Sequence, residues 1–177
     1  MRVISGKFGG RIFDSPRGHR THPMSEKIRG AIFNMLGDIK GLTFMDAFSG
    51  TGALAIEAIS RGAHHVTAVE LDIDAFKTIM ENVRAFGIEE QMTVSRKDVK
   101  SWSRNNKQVQ FDVVLIDPPY DAVPYTLLHA LARHARPGGI VIYSLPPDHD
   151  FKLDETAFNL EVSKEYGDAV LCVYRHI

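Results

Sequence analysis

Three carboxylates stand where an acid does chemistry more readily than structure. In Leu42-Thr-Phe-Met-Asp46-Ala-Phe-Ser-Gly50-Thr-Gly52 an acid follows an apolar run and precedes a glycine turn that opens the helical stretch Ala53 to Arg61. Glu70 closes the next apolar run, and Asp117 closes Phe111 to Ile116 and opens Asp117-Pro118-Pro119-Tyr120. Gly50 and Gly52 permit backbone angles and a close approach that a side chain would block, and the helix behind them aims its first amides at whatever binds. Two prolines after Asp117 fix the backbone and remove two amide donors, leaving carbonyl oxygens as acceptors. A carboxylate and the Pro118 carbonyl can therefore accept both hydrogens of an exocyclic amino group. Tyr120 offers a flat face on which an extracted base can stack.

Two cofactor classes fit the glycine turn. Gly50-Thr51-Gly52-Ala53-Leu54-Ala55 satisfies a relaxed dinucleotide fingerprint, and Glu70 lies 20 residues beyond Gly50, where a ribose-binding acid is expected. Asp46 separates the two. A pyrophosphate over the turn would be repelled by a carboxylate just before it, whereas the sulfonium and ammonium groups of S-adenosylmethionine would be attracted. The set Asp46, Phe48, Ser49, Gly50, Thr51 and Gly52 is expected to hold that methyl donor. Glu70 would accept from both ribose hydroxyls, with the competing reading of a helix-start acid alongside Asp72 or Asp74. Asp98 would accept from the adenine amine or cap a helix, with Leu71 and Val99 lining the pocket.

These residues need a sheet to bring them together. Strands are expected at 42–47, 65–70, 91–95, 111–116 and 138–144, and helices at 25–36, 53–61, 73–86 and 123–134, with a helical turn at 98–103. Strands alternating with helices call for a parallel sheet covered on both faces. The strand-like segments Ala157 to Ser163 and Ala169 to Tyr174 are joined only by Lys164 to Asp168, which makes them an antiparallel edge hairpin. Arg2 to Ser5 and Arg11 to Phe13 read as an N-terminal β-hairpin. Leu145 to Asp154, with two prolines and several charges, reads as an exposed loop. Trp102 and Cys172 read as core residues.

The bulk properties restrict the class. A chain of 177 residues that is 44% hydrophobic suits one domain over 1–177, with 1–24 as an arm and 25–177 as the core. No apolar run approaches the roughly 18 residues of a membrane span. The single cysteine has no internal disulfide partner, and no basic-then-apolar leader opens the chain, which fits the cytoplasm. The histidines lack ligand-like spacing, so no metal is expected. Charge is uneven: residues 1–30 carry seven Lys or Arg against two acids, +5, leaving −6 on the rest of a chain whose net charge is −1. Such polarity suits an arm that meets phosphates, with Lys7, Arg11, Arg17, Arg20 and Arg29 as the candidates. A solvated face is the competing reading.

The chain resembles the bacterial small-subunit ribosomal RNA guanine-N2 methyltransferases of the RsmD type. The resemblance runs nearly end to end, through Met1 to Arg11, His22-Pro-Met-Ser-Glu-Lys-Ile-Arg-Gly-Ala-Ile-Phe-Asn34, Asp46 to Ala63, Asp117 to Tyr120, and Tyr166 to Val170. It implies a Rossmann-like class I methyltransferase sheet, mostly parallel, with S-adenosylmethionine as donor and S-adenosylhomocysteine as product. It also implies transfer to the N2 amine of a guanine in 16S rRNA of the small subunit or its assembly intermediate, with Asp117, Pro118, Pro119 and Tyr120 at the reaction centre. The protein is expected to act as a monomer. His22-Pro23-Met24 departs from the family's Arg-Pro-Thr, and Gly30 stands where an acid is common. Adenine-N6 or protein-glutamine methylation and a nicotinamide oxidoreductase stay open as alternatives.

Overall fold

The alternation of apolar runs with amphipathic stretches yields five helices and seven strands among the described residues, 1–16, 24–119 and 124–177, of this computed structural model. In chain order they are α1 (Glu26–Leu36), β1 (Thr43–Asp46), α2 (Ala53–Ser60), β2 (His65–Glu70), α3 (Ile73–Phe86), β3 (Met92–Arg96), α4 (Val99–Asn105), β4 (Phe111–Ile116), α5 (Tyr125–Ala132), β5 (Ala135–Leu145), β6 (Phe158–Tyr166) and β7 (Ala169–His176). One seven-stranded sheet forms, in the order β3-β2-β1-β4-β5-β7-β6. The first five strands in that order pair in parallel, whereas β7 runs antiparallel between β5 and β6. The expected class I sheet with an antiparallel C-terminal hairpin at its edge is therefore what forms.

Successive strand residues point to opposite faces, and two cores follow. Phe44, Val66, Leu115 and Ile142 pack with α1, α2 and α3, whereas Met45, Val69, Ile116 and Tyr143 pack with α4 and α5. All eight residues of α2 are buried, which is why its sequence is apolar on every side apart from Glu57 and Ser60. Local chemistry sets the bounds of α1 and α3. Ser25 Oγ accepts from the Ile28 amide to start α1, Asp72 accepts from Asp74 and Ala75 to start α3, and Gly87 in the left-handed region ends α3.

Several boundaries move. Strand β5 begins at Ala135 rather than 138, and the helix expected over 123–134 is α5, residue 123 lying outside the described residues. The N-terminal hairpin forms around the antiparallel bridge Arg2 to Ile12, with the Val3 amide donating to the Arg11 carbonyl and the Phe13 amide to the Met1 carbonyl. The Ile4 and Ser5 amides donate to Glu57, and the Lys7 amide donates to the Ser60 carbonyl, so the segment is laid against α2. Gly6 is indispensable there: at φ +83° a Cβ would lie 1.9 Å from the Ser60 carbonyl oxygen. The loop after β5 is not simply exposed. Phe151 and Leu153 are buried, with the Phe151 ring 4.9 Å from that of Tyr143.

Candidate active site

Four neighbouring strands each deliver a carboxylate to the same edge. In space they run Asp98, Glu70, Asp46, Asp117, because the strand order β3-β2-β1-β4 places the first strand of the chain in the middle. At about 4.8 Å per strand the row is roughly 14 Å long. The sheet reverses its winding between β1 and β4, where open α/β folds bind ligands outside the carboxyl ends of their strands. Asp46 and Asp117 flank that point.

Asp46 is 1% exposed. Its Oδ2 accepts from the Ser49 hydroxyl at 2.9 Å, and its Oδ1 is buried with no hydrogen-bond partner. Burial pushes this carboxyl up to about 7, against the pull of the Ser49 bond, and the charges of Asp117 and Glu70 push the same way. Among the described residues no Lys or Arg pairs with Asp46, Glu70 or Asp117. A buried acceptor with an orphaned oxygen in an acid-rich cleft fits a cationic ligand.

The glycine turn is tied to the same cleft. The Gly50 amide donates to Glu70 Oε2 at 2.6 Å, and the Asp72 amide donates to Glu70 Oε1 at 2.7 Å. Asp72 takes the helix cap, so Glu70 is not the helix-start acid; each of its oxygens keeps a second lone pair for a ligand hydroxyl. A Cβ built on Gly50 meets nothing closer than 3.9 Å, so the space above the turn is open, yet its φ of +53° selects glycine. At Gly52, the N-cap of α2, a Cβ would come within 3.1 Å of Ile79. Ser49 and Thr51 are buried beneath the turn and Phe48 is half-buried.

At the two ends of the row the picture is mixed. Asp98 Oδ2 accepts from the Ser101 amide and caps α4, so the capping reading is realised, and Val99 is buried behind it. Leu71 stays 66% exposed beside Glu70. Asp117 is half-buried, and burial pushes it up to about 6 against a hydrogen bond from the Ser144 hydroxyl. Ser144 was not among the expected residues. It is 3% exposed on β5, one position beyond Tyr143, which pairs with Ile116. Pro118 is buried and Pro119 exposed; Tyr120 lies outside the described residues.

The basic residues separate into two kinds. Lys7 and Arg11 are exposed, but they sit at the far ends of α2 and α3. Lys7 Nζ donates to Gln91 at the foot of β3, and Arg11 Nη2 donates to the Ala85 carbonyl while its guanidinium lies over Phe86. Those helices run back from the carboxyl edge, so α3, at 14 residues, spans about 21 Å between the site and Arg11. Arg29 corrects the sequence expectation, because it is fully buried and cannot meet RNA. Its Nη2 donates to the Arg2 carbonyl at 2.5 Å and its Nε lies 3.7 Å from Glu57. Arg17 and Arg20 lie outside the described residues. Trp102 is buried between Phe111 and His134, as expected of a packing anchor. Cys172 is buried, with His149 Nε2 3.7 Å from its sulfur and burial pushing the thiol up.

Among the described residues no group of three or more His, Cys, Asp or Glu side chains is arranged to hold a metal ion, and no helix is long and apolar enough to cross a membrane. This sheet order, with acids at adjacent strand ends and a glycine turn after β1, is that of a class I methyltransferase. In Escherichia coli a solved structure titled "Putative methyltransferase yhhF" superposes with a TM-score of 0.88 at 23% identity, covering 99% of this chain and 97% of that one. Residues 1–175 match the model of the family described as "Conserved hypothetical protein 95". The "Putative rRNA methyltransferase YlbH" of Bacillus subtilis is 30% identical over 99% of this chain and 98% of its own length. The "Ribosomal RNA small subunit methyltransferase D" of Buchnera aphidicola is 32% identical over 67% of this chain and 62% of its own length. The chain belongs to this family, the RsmD-type methyltransferases.

Proposed function

We propose that this protein transfers a methyl group from S-adenosylmethionine to the exocyclic N2 amine of a guanine in 16S rRNA of the small ribosomal subunit. The observation that carries the reading is the row Asp98, Glu70, Asp46, Asp117, ending at the Asp-Pro-Pro turn. The names borne by the relatives support ribosomal RNA as the substrate, and that of the Buchnera aphidicola relative supports the small subunit.

In this reading Asp98, through the oxygen that its cap leaves free, and Val99 hold the adenine, Glu70 the ribose, and Asp46 with the Gly50 turn the amino-acid end. The bound donor supplies a methyl group on a cationic sulfur, which departs as a neutral thioether. The guanine amine is a weak nucleophile because its lone pair is delocalised into the ring. Asp117 and the Pro118 carbonyl accept its two N–H bonds and draw the nitrogen toward tetrahedral geometry, which localises that pair. Asp117 then takes the surplus proton or passes it to water. Positioning and fixed charge supply most of the acceleration. Tyr120 stacks on the extruded base. Lys7, Arg11, Arg17 and Arg20 contact RNA away from the target base.

The test is to incubate the protein with labelled donor and small subunits lacking the modification, and to locate the label by mass spectrometry. Label on guanine N2, lost in Asp117→Ala with donor affinity within about threefold, supports the proposal. Label on adenine, on protein or on neither overturns it.

A further inference from the structure

The expected RNA-facing cations cannot hold the RNA beside the target base, because Arg29 is buried and Lys7 and Arg11 lie at the opposite end of the sheet from the carboxylates. A different basic surface borders the site. Residues 96–107 carry Arg96, Lys97, Lys100, Arg104 and Lys107 against Asp98 alone, +4 within a chain of net charge −1. All five cations are exposed, and among the described residues none forms an ion pair. Asp98 is engaged in capping α4.

The fold arranges these cations as one stripe. Val99, Trp102 and Ser103 are the buried face of α4, so Lys100 and Arg104, four residues apart, project from its other side, with Lys107 in the turn that follows the helix. The stripe starts at the carboxyl edge itself, because Arg96 pairs in register with Glu70 and the Lys97 amide donates to the Glu70 carbonyl at 3.1 Å. Helices α4 and α5 pack on the same face of the sheet, and α5 opens just after the Asp-Pro-Pro turn. Asp117 lies three strands from β3, roughly 14 Å away.

Electrostatics gives this separation a purpose. A cleft lined by Asp46, Glu70 and Asp117 repels a polyanion, so RNA cannot be drawn in by its backbone. Phosphates held beside the cleft, with only a neutral base reaching across, resolve the conflict. We propose that Arg96, Lys97, Lys100, Arg104 and Lys107 seat the phosphodiester backbone of the RNA flanking the target base. The inference rests on the RNA methyltransferase reading and adds the surface on which the substrate lies. Phosphate contacts of this kind fix register without reading sequence.

The test uses the full chain with Lys100→Gln, Arg104→Gln and Lys107→Gln combined, against a control in which the exposed Lys40, Lys152 and Lys164 are changed to Gln. Binding of a 16S rRNA fragment and half-saturation with small subunits are measured between about 50 and 200 mM salt. The stripe variant should bind about tenfold or more weakly, and its slope of log affinity against log salt should shrink by about three. Melting temperature and donor affinity should stay at wild-type values, and the control should bind RNA nearly as wild type does. Guanine methylation with unchanged half-saturation and slope in the stripe variant overturns the seat and leaves the activity standing. Loss of RNA binding in that variant, with the label landing on another acceptor, keeps the seat and overturns the guanine assignment. Equal weakening in the control reduces the stripe to general charge and overturns the seat, and a wild-type protein that binds no RNA overturns both.

Discussion

Gly50 and Glu70 are joined by a 2.6 Å hydrogen bond that ties the turn after β1 to the acid closing β2. The bond shapes the glycine turn from below, and in the proposed function the same Glu70 also receives the ribose from above. Replacing Glu70 with Ala removes both, leaving the Gly50 and Asp72 amides without their acceptor. Donor affinity is expected to fall by about tenfold to a hundredfold, with about 1–2 kcal/mol lost from folding. Calorimetric titration and thermal melting check this. Unchanged affinity would remove Glu70 from the site.

Asp46 makes the free protein sensitive to pH with a definite sign. Its carboxyl is near 7 when folded and near the usual 3.9 when unfolded, so the folded state holds the proton more tightly. That stabilisation is complete below about pH 4 and is lost as pH rises to about 7, by up to roughly 4 kcal/mol. Asp46→Asn should remove this part of the pH dependence and melt higher than wild type at pH 8 when no donor is present. The donor favours the ionised form, so its affinity should rise from pH 5.5 to 7.5 and then level off, with proton release visible in buffers of different ionisation heat. A pH-independent affinity would separate the Asp46 charge from donor binding.

Ser144 is expected to tune Asp117 rather than touch the substrate. Its hydroxyl favours the ionised carboxylate, so Ser144→Ala should raise Asp117 above its present value of about 6. The acid limb of the methyl-transfer rate would move toward higher pH by about half a unit to one unit, and Ser144→Thr should largely restore it. A rate lowered equally at every pH would mean that Ser144 only fills space.

How far the sequence could be read depended on where each residue's partner came from. Asp46, Glu70 and Asp117 were legible because each closes an apolar run locally, and strand ends in a parallel sheet share one edge. Their spatial order was harder, since 46, 70, 98, 117 along the chain becomes 98, 70, 46, 117 only once β1 takes the central place. Asp98 left two readings open because a cap and a ligand acceptor look alike in sequence; its bond to the Ser101 amide establishes the cap. Ser144 and Phe151 were missed because their partners, Asp117 and Tyr143, come from packing rather than from sequence neighbours. Arg29 looked like Arg17 and Arg20 within one basic segment. The signal that sets it apart lies elsewhere, in Glu57, the lone charge of Ala53-Leu-Ala-Ile-Glu-Ala-Ile-Ser60. An acid in a helix apolar all round needs a buried partner.

That partner makes Arg29 a stability residue. Glu57, fully buried, accepts from the Ile4 and Ser5 amides and from Arg61 Nε at 2.7 Å, while Arg29 lies beside it and donates to the Arg2 carbonyl. Burial pulls Arg29 down from the usual arginine range, with the Glu57 charge acting against it. Arg29→Ala opens a cavity, frees the Arg2 carbonyl and removes one of two cations from a buried acid. The expected cost is about 3–5 kcal/mol, with faster protease cleavage within residues 1–16. An RNA contact would instead raise half-saturation for the small subunit at an unchanged melting temperature. Thermal melting with limited proteolysis distinguishes the two, and an unchanged melting temperature would show that the buried pair does not hold the N-terminal segment.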